Sequence, residues 1–408
     1  MAASIAEIIV LCLIVDWLFR RFHLPGLVGM LLVGVVLGPY ALDYLDPDLL
    51  SIGADLRLIA LLVILLRAGF ALQRRTLHEV GKRVLLLAFI PAICEGAMIT
   101  LVAYHLLAFT WLEAALLGSV IAAVSPAVIV PSMLHFNKVR KGTDKGIPTM
   151  IMAASSVDDV FVIVVYTGLL GLYAGHTTAM VWQLASVPVS LVLGIGAGLG
   201  IGWLLCKHFD RFNPRATKRV LLVIAIAIML VRVEHLLRGW IPFAGLVSAM
   251  AIGFVILEKR EHAAHEISAK LAKIWIFAEI ILFALVGAQV NLTVMWQSGL
   301  AGLVVILFGI GARALGVSGC LLGSNLSAAE RAFVIIAFMP KATVQAAIGA
   351  GPLLAMQLAG RPTEAGEIIL AIAVLSIVLT APVGAWAISF LGERVLKQAD
   401  PYPQPSHS

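Results

Sequence analysis

"MIMAASSVDDVFVIVVYTG", Met150 to Gly168, is apolar enough to cross a bilayer, yet it carries two adjacent carboxylates, Asp158 and Asp159, near its middle. A charge at that depth costs at least a few kcal/mol, and intramembrane acids face a bundle interior or a water-filled cavity and mark an ion or proton path. What stabilises these two aspartates decides both the architecture and the chemistry.

The solvent follows from composition. The 408 residues are 61% hydrophobic and 13% charged, with a mean hydropathy of +1.02. That is more apolar surface than a water-soluble core of this length can hide. The chain reads as an all-α polytopic membrane protein. Its four cysteines, Cys12, Cys94, Cys206 and Cys320, lie in or beside apolar runs without the paired spacing of a disulfide framework or zinc site. The first apolar run lacks a basic flank and a small-residue cleavage site, so it reads as a span and not a signal peptide.

About thirteen runs are long enough to cross a hydrocarbon core of roughly 30 Å. They lie near 4–19, 24–42, 54–72, 84–106, 112–134, 147–172, 179–206, 216–233, 240–257, 271–289, 299–323, 329–356 and 366–390. The tail 391–408 is polar, Pro-rich and expected to be disordered. The links "ALQRRTLHEVGKR", "HFNKVRKGTDKG", "CKHFDRFNPRATKR" and "LEKREHAAHEISAK" are basic, whereas "LDYLDPDLLSIGAD" and "YAGHTTAMVWQ" are not. The positive-inside rule places the basic links in the cytoplasm, the N-terminus outside and the C-terminus inside. The net charge of +6 is thus topology, not a nucleic-acid surface.

Two spans are interrupted. Span 5 contains "AAVSPAVIVPSM", with Pro126 and Pro131, and span 12 contains "AFMPKATVQAAIGAG", with Pro340 and Lys341. Proline removes a backbone donor and opposes the preceding turn. Interrupted helices at matching positions of two halves point to a binding site at the midplane. These two are seven spans apart and run in opposite directions, as two inverted six-helix repeats joined by span 7 would give. Glu95 in span 4 and Arg313 in span 11 form a second such pair and are expected to make a structural ion pair across the pseudo-two-fold axis. Span 13 has no acid to match Asp158 and Asp159.

The intramembrane charges can then be counted. Glu95 with Arg313, and one aspartate with Lys341, leave one carboxylate over. Such a group, beside two broken helices, can take a proton or a small hard cation. Ser125, Ser155, Ser156, Thr343 and carbonyls near Pro126 are the oxygen ligands at hand. If cation and proton compete for one carboxylate and the empty charged site crosses poorly, exchange follows.

"VSPAVIVPSML", "GIPTMIMAASSVDDV" and "MPKATVQAAIG" resemble the monovalent cation/proton antiporters, in particular the sodium/proton exchanger branch of animal exchangers and their bacterial relatives. The resemblance covers nearly the whole chain. It implies exchange of Na⁺, or Li⁺, for H⁺ in pH homeostasis without a cofactor, by a core that moves as an elevator against a dimerisation domain in a homodimer. The core would comprise about 84–172 and 299–390, and the scaffold about 1–72 and 179–289. Asp159 would carry the ion, Asp158 would pair with Lys341, and the broken spans 5 and 12 would cross at the site. Ser125 departs from the Thr-Asp of many relatives at the span 5 break. The animal exchangers also have an extra N-terminal segment not seen here, which points to a bacterial form in the cell (inner) membrane.

Other readings fare worse. An aspartyl protease needs acids converging from different helices, and adjacent residues point about 100° apart on one helix. A sodium-coupled symporter of an organic anion or solute is the main alternative, but it does not call for an intramembrane lysine beside paired acids. "GIGAGLGIG", Gly194 to Gly202, mimics a phosphate loop but lies in an apolar span, where small residues serve close helix packing.

Overall fold

The computed structural model describes residues 1–22, 24–71, 81–173, 180–237 and 240–398. The described chain is helical: α1 Ala2–Arg21, α2 Gly26–Leu37, α3 Pro47–Ser51, α4 Gly53–Ala71, α5 Gly81–Leu106, α6 Trp111–Ile121, α7 Pro126–Lys138, α8 Ile147–Tyr173 and α9 Met180–Phe212. There follow α10 Ala216–Leu237, α11 Gly245–Lys259, α12 Glu261–Ala288, α13 Leu292–Cys320, α14 Ala328–Ala337, α15 Thr343–Ile348, α16 Gly351–Leu358 and α17 Glu364–Val395. Eight helical segments among the described residues are long and apolar enough to cross a membrane, counting the interrupted stretch Trp111–Lys138 as one. Helices suit this solvent because each satisfies its own backbone polar groups.

Buried apolar side chains fall into separate clusters. One gathers α1, α2, α4 and α9 to α12, and takes in Ala342, Ala346 and Ala350 from the span 12 region, Val128 and Leu353, and Leu370, Val374, Ile377 and Ala381 of α17. Two others are built mainly from α5 to α8 and α13 to α17. The glycine run in α9 is a packing surface. A Cβ on Gly194 would lie 2.5 Å from the Ala244 carbonyl oxygen, and one on Gly198 would lie 2.4 Å from that of Ser248, whereas Gly196 and Gly200 meet nothing within 4 Å. Alternate glycines thus let α11 press backbone to backbone, and Ser248 Oγ donates to the Gly194 carbonyl at 2.7 Å.

Both expected interruptions occur, with one correction. Span 5 opens at Ala122–Ser125, between α6 and α7, and Pro126 takes the first position of α7, where its missing N–H costs nothing. Pro131 is not a break: it lies inside α7, which runs intact to Lys138. Only the Ala127 carbonyl loses its helical donor there, and a single lost bond is tolerated in a membrane helix. Span 12 opens between α14 and α15, with Pro340 and Lys341 in the non-helical stretch. The cysteines are free as expected.

The C-terminal boundary also differs. α17 continues beyond residue 390 to Val395, and Lys397 then accepts a hydrogen bond from the Gly142 amide at 2.8 Å. Lys141 pairs with Glu393 on α17, and His135 on α7 lies 3.2 Å from the same carboxylate. The segment just after the last helix is therefore docked on the α7–α8 link, because the basic link finds an acid and a free carbonyl there. The expected tail from 399 onward lies outside the described residues.

Candidate functional site

Close approach of α5 and α13 brings the first charges together. A Cβ on Gly309 would lie 2.7 Å from Ile99, and one on Gly316 would lie 2.9 Å from the Pro91 Cα. The two glycines flank Arg313 and let α13 settle against the helix that carries Glu95. Arg313 Nε donates to Glu95 Oε2 at 2.5 Å, and both side chains are fully buried.

The same guanidinium also reaches α8. Arg313 Nη2 lies 3.0 Å from Asp158 Oδ1, and it also donates to the Ala122 carbonyl in the first break. Asp158 Oδ2 accepts the Val124 amide at 2.8 Å. Lys341 Nζ donates to Glu95 Oε2 at 2.6 Å. The expected pairing of Lys341 with Asp158 is thus corrected: the lysine sits on Glu95, and Asp158 belongs to Arg313. Counting one partner per charge overlooked that a guanidinium has five donors in a planar fork and can bridge two carboxylates. Two acids and two bases nonetheless balance, and Asp159 is left over.

Asp159 is 6% exposed, and its Oδ1 is buried without a hydrogen-bond partner. It forms no ion pair among the described residues. Ser155 lies one helical turn away on the same face of α8, and its hydroxyl donates to the Met152 carbonyl at 3.0 Å. The side chain of Ser156 lies outside the described residues. Ser125 and Thr343, from opposite breaks, place their hydroxyls 3.3 Å apart, and Ser125 Oγ also accepts the Thr343 amide at 3.3 Å. The Ser125 amide in turn donates to the Pro340 carbonyl at 2.9 Å, so the two breaks touch directly.

One residue at the crossing was not anticipated. Gln345, fully buried in α15, directs Nε2 at the carbonyls of Val120, Ile121 and Ala123, at 3.3, 3.2 and 2.8 Å, while its Oε1 accepts the Ala342 amide at 2.9 Å. Together with the Arg313 contact to Ala122, this occupies the carbonyls of Val120 to Ala123, ahead of the stretch next to Pro126 whose carbonyls were expected as ion ligands. The clue was present in "MPKATVQAAIGAG": a buried amide beside a proline break must satisfy its own polar atoms, and orphaned backbone groups lie within reach. Lys341 is anchored on the other side, where its amide donates to Thr380 Oγ1 at 2.8 Å.

Chemically, the crossing holds a neutral, hydrogen-bonded cluster of four charges with a fifth, unpartnered carboxylate beside it. A buried carboxylate in that position takes a proton or a cation. The hydroxyls of Ser155, Ser125 and Thr343 are the neutral oxygens placed around the crossing.

Comparisons with known proteins give the chain's family and its fold. The profile of the transmembrane sodium/hydrogen exchanger family matches residues 8–393. Human sodium/hydrogen exchanger 9B2 is 32% identical over 386 residues, covering 92% of this chain and 71% of the human protein. The mouse protein of the same name is 34% identical over 388 residues, covering 92% and 69%. The structure of the sodium proton antiporter MjNhaP1 from Methanocaldococcus jannaschii superposes with a TM-score of 0.84 at 22% identity, over 97% of this chain and 98% of that one. At that identity the likeness speaks for the fold.

Proposed function

The chain belongs to the sodium/hydrogen exchanger family, and from that membership we propose that Asp159 is the group on which cation and proton exchange. The protein is an integral membrane transporter that exchanges a monovalent cation for protons, with no cofactor. The observation that carries the assignment to Asp159 is its buried, partnerless Oδ1 beside a cluster whose other charges are matched. Na⁺ or Li⁺ is the cargo, since the surrounding groups are hard oxygen donors. Ser155, Ser125 and Thr343 complete the ligand set as the core shifts, with Ser156 on the same helix.

The core, about 84–172 and 299–390, moves against the scaffold, about 1–72 and 179–289, in an elevator-like cycle within a homodimer. Most buried apolar side chains of the scaffold lie in one cluster, which meets the core along α17 and the span 12 region. Asp158, Lys341, Glu95 and Arg313 form the frame that keeps the two breaks together. The basic links support an orientation with the N-terminus outside and the C-terminus in the cytoplasm, and we place the protein in a bacterial cell membrane.

The test is cation-induced dissipation of a pH gradient in proteoliposomes, run separately with Na⁺, Li⁺ and K⁺. The parent responds to Na⁺ and Li⁺, and Asp159→Asn abolishes the response while remaining folded and inserted. Near-normal exchange in that variant would remove Asp159 from the carrier role. Because one carboxylate serves both ions, lowering pH weakens apparent sodium affinity before it lowers the rate at saturating sodium. A pH effect confined to the maximal rate would instead point to a separate sensor.

A further inference from the structure

Arg57, in the second turn of α4, is 6% exposed, and its Nη1 is buried without a hydrogen-bond partner. No carboxylate pairs with it among the described residues, and the acids closest in sequence, Asp48 and Asp55, point to the exterior. A buried, uncompensated cation is costly, because nothing replaces the water it gave up. The ion site does not explain it, since the charges at the crossing balance without Arg57.

The surroundings make the imbalance greater. Nη1 lies 3.9 Å from the position a Cβ would take on Gly53, so the guanidinium folds back over the start of its own helix. The first amide that bonds across this end is that of Leu56, which donates to the Ile52 carbonyl at 3.1 Å. The amides of Gly53, Ala54 and Asp55 therefore precede any acceptor inside the helix. A helix start carries roughly +0.5 of an elementary charge. Two positive features thus converge in one enclosed place, and each makes the other less favourable unless something negative lies between them.

We propose that Arg57 and the first-turn amides of α4 hold a small monovalent anion, a halide such as chloride. Charge and polarity select that class. The nearest atoms around a Cβ on Gly53 would be the two Leu285 methyl carbons, at 3.7 and 3.9 Å, and Arg57 Nη1. The single guanidinium charge and the partial charge of the helix start match a monovalent ion, whereas a divalent sulfate would leave charge unbalanced. The apolar wall, from α12, suits an ion that sheds its water easily. A lipid phosphate shares the anion chemistry, and the test below separates the two.

The test is thermal unfolding of the purified full-length protein at constant sodium, with gluconate, chloride or bromide as the counter-ion. Chloride and bromide raise Tm saturably, by about 2 °C at roughly ten times Kd, relative to gluconate. Arg57→Gln removes the rise by removing the cation. Gly53→Ala removes it by placing a methyl 3.9 Å from Arg57 Nη1, between the guanidinium and the first turn, while the charge stays, so it decides the matter alone if Arg57→Gln does not fold. Equal melting of the parent in gluconate and chloride overturns the proposal, and so does a halide response that survives Gly53→Ala. A parent that ignores halide but is stabilised by phosphatidylglycerol vesicles in halide-free buffer has a lipid phosphate at Arg57, and the small-ion assignment then fails.

Discussion

The two breaks pose the same backbone problem and solve it with different side chains. In each, an amide freed by the interruption is capped by a residue of the next membrane-spanning helix: Asp158 of α8 takes the Val124 amide at 2.8 Å, and Thr380 of α17 takes the Lys341 amide at 2.8 Å. The inverted repeat is therefore preserved in function where it is lost in charge. An acid on one side is matched by a hydroxyl on the other, and the hydroxyl keeps its own proton donor satisfied at the Ser376 carbonyl, at 2.7 Å. The ionised cap requires a cation to stand beside it, which Arg313 supplies; the neutral cap requires none. The asymmetry places the charged cluster, and with it the ion site, on one side of an otherwise matched crossing.

The largest expected effect comes from removing the residue that serves both sides. Arg313→Ala strands Asp158 and the Ala122 carbonyl and leaves Glu95 with Lys341 alone, at a cost of at least the about 3–5 kcal/mol seen when one partner of a buried pair is lost. Lys341→Ala removes only one donor from Glu95, so it destabilises less. Unfolding of both variants in detergent ranks them, and equal losses would mean that the guanidinium is not shared.

Changing the two caps separates charge from hydrogen bonding. Thr380→Val leaves the Lys341 amide without its acceptor, at about 1–3 kcal/mol, and leaves the charge count as it was. Asp158→Asn leaves the cluster with one net positive charge next to Asp159, which repels an arriving cation. Apparent sodium affinity in vesicles therefore falls for Asp158→Asn and stays near the parent for Thr380→Val. If both variants weakened sodium equally, geometry and not charge would control the site.

The smallest effect concerns the lysine. In a double-mutant cycle, Glu95→Gln with Lys341→Gln shows coupling above about 0.5 kcal/mol, the usual limit of additivity. Asp158→Asn with Lys341→Gln shows less, because these two share no hydrogen bond and each is paired with another residue. The reverse order would restore a direct Asp158–Lys341 pair.

Much of this is legible in the sequence. The bilayer penalises charge so heavily that Glu95, Asp158, Asp159, Arg313 and Lys341 stand out in apolar runs, and counting them by sign leaves one carboxylate over. Proline chemistry marked Pro126 and Pro340 as breaks, and it also marked Pro131, where the helix absorbs the loss of a single bond. The alternate glycines of α9 were legible because close packing has a four-residue signature in helices.

The partners were another matter. The sequence by itself determined the solvent, the interrupted spans and the excess carboxylate, because each follows from residue type and local spacing. Only the tertiary structure decided that Arg313 bridges Glu95 and Asp158, that Lys341 goes to Glu95, that Gln345 claims the carbonyls of the first break, and that Arg57 is left unpaired. A buried polar group pairs with whichever donor or acceptor lies within about 3 Å, and in a bundle that neighbour comes from a helix hundreds of residues away, at an angle that local sequence does not encode.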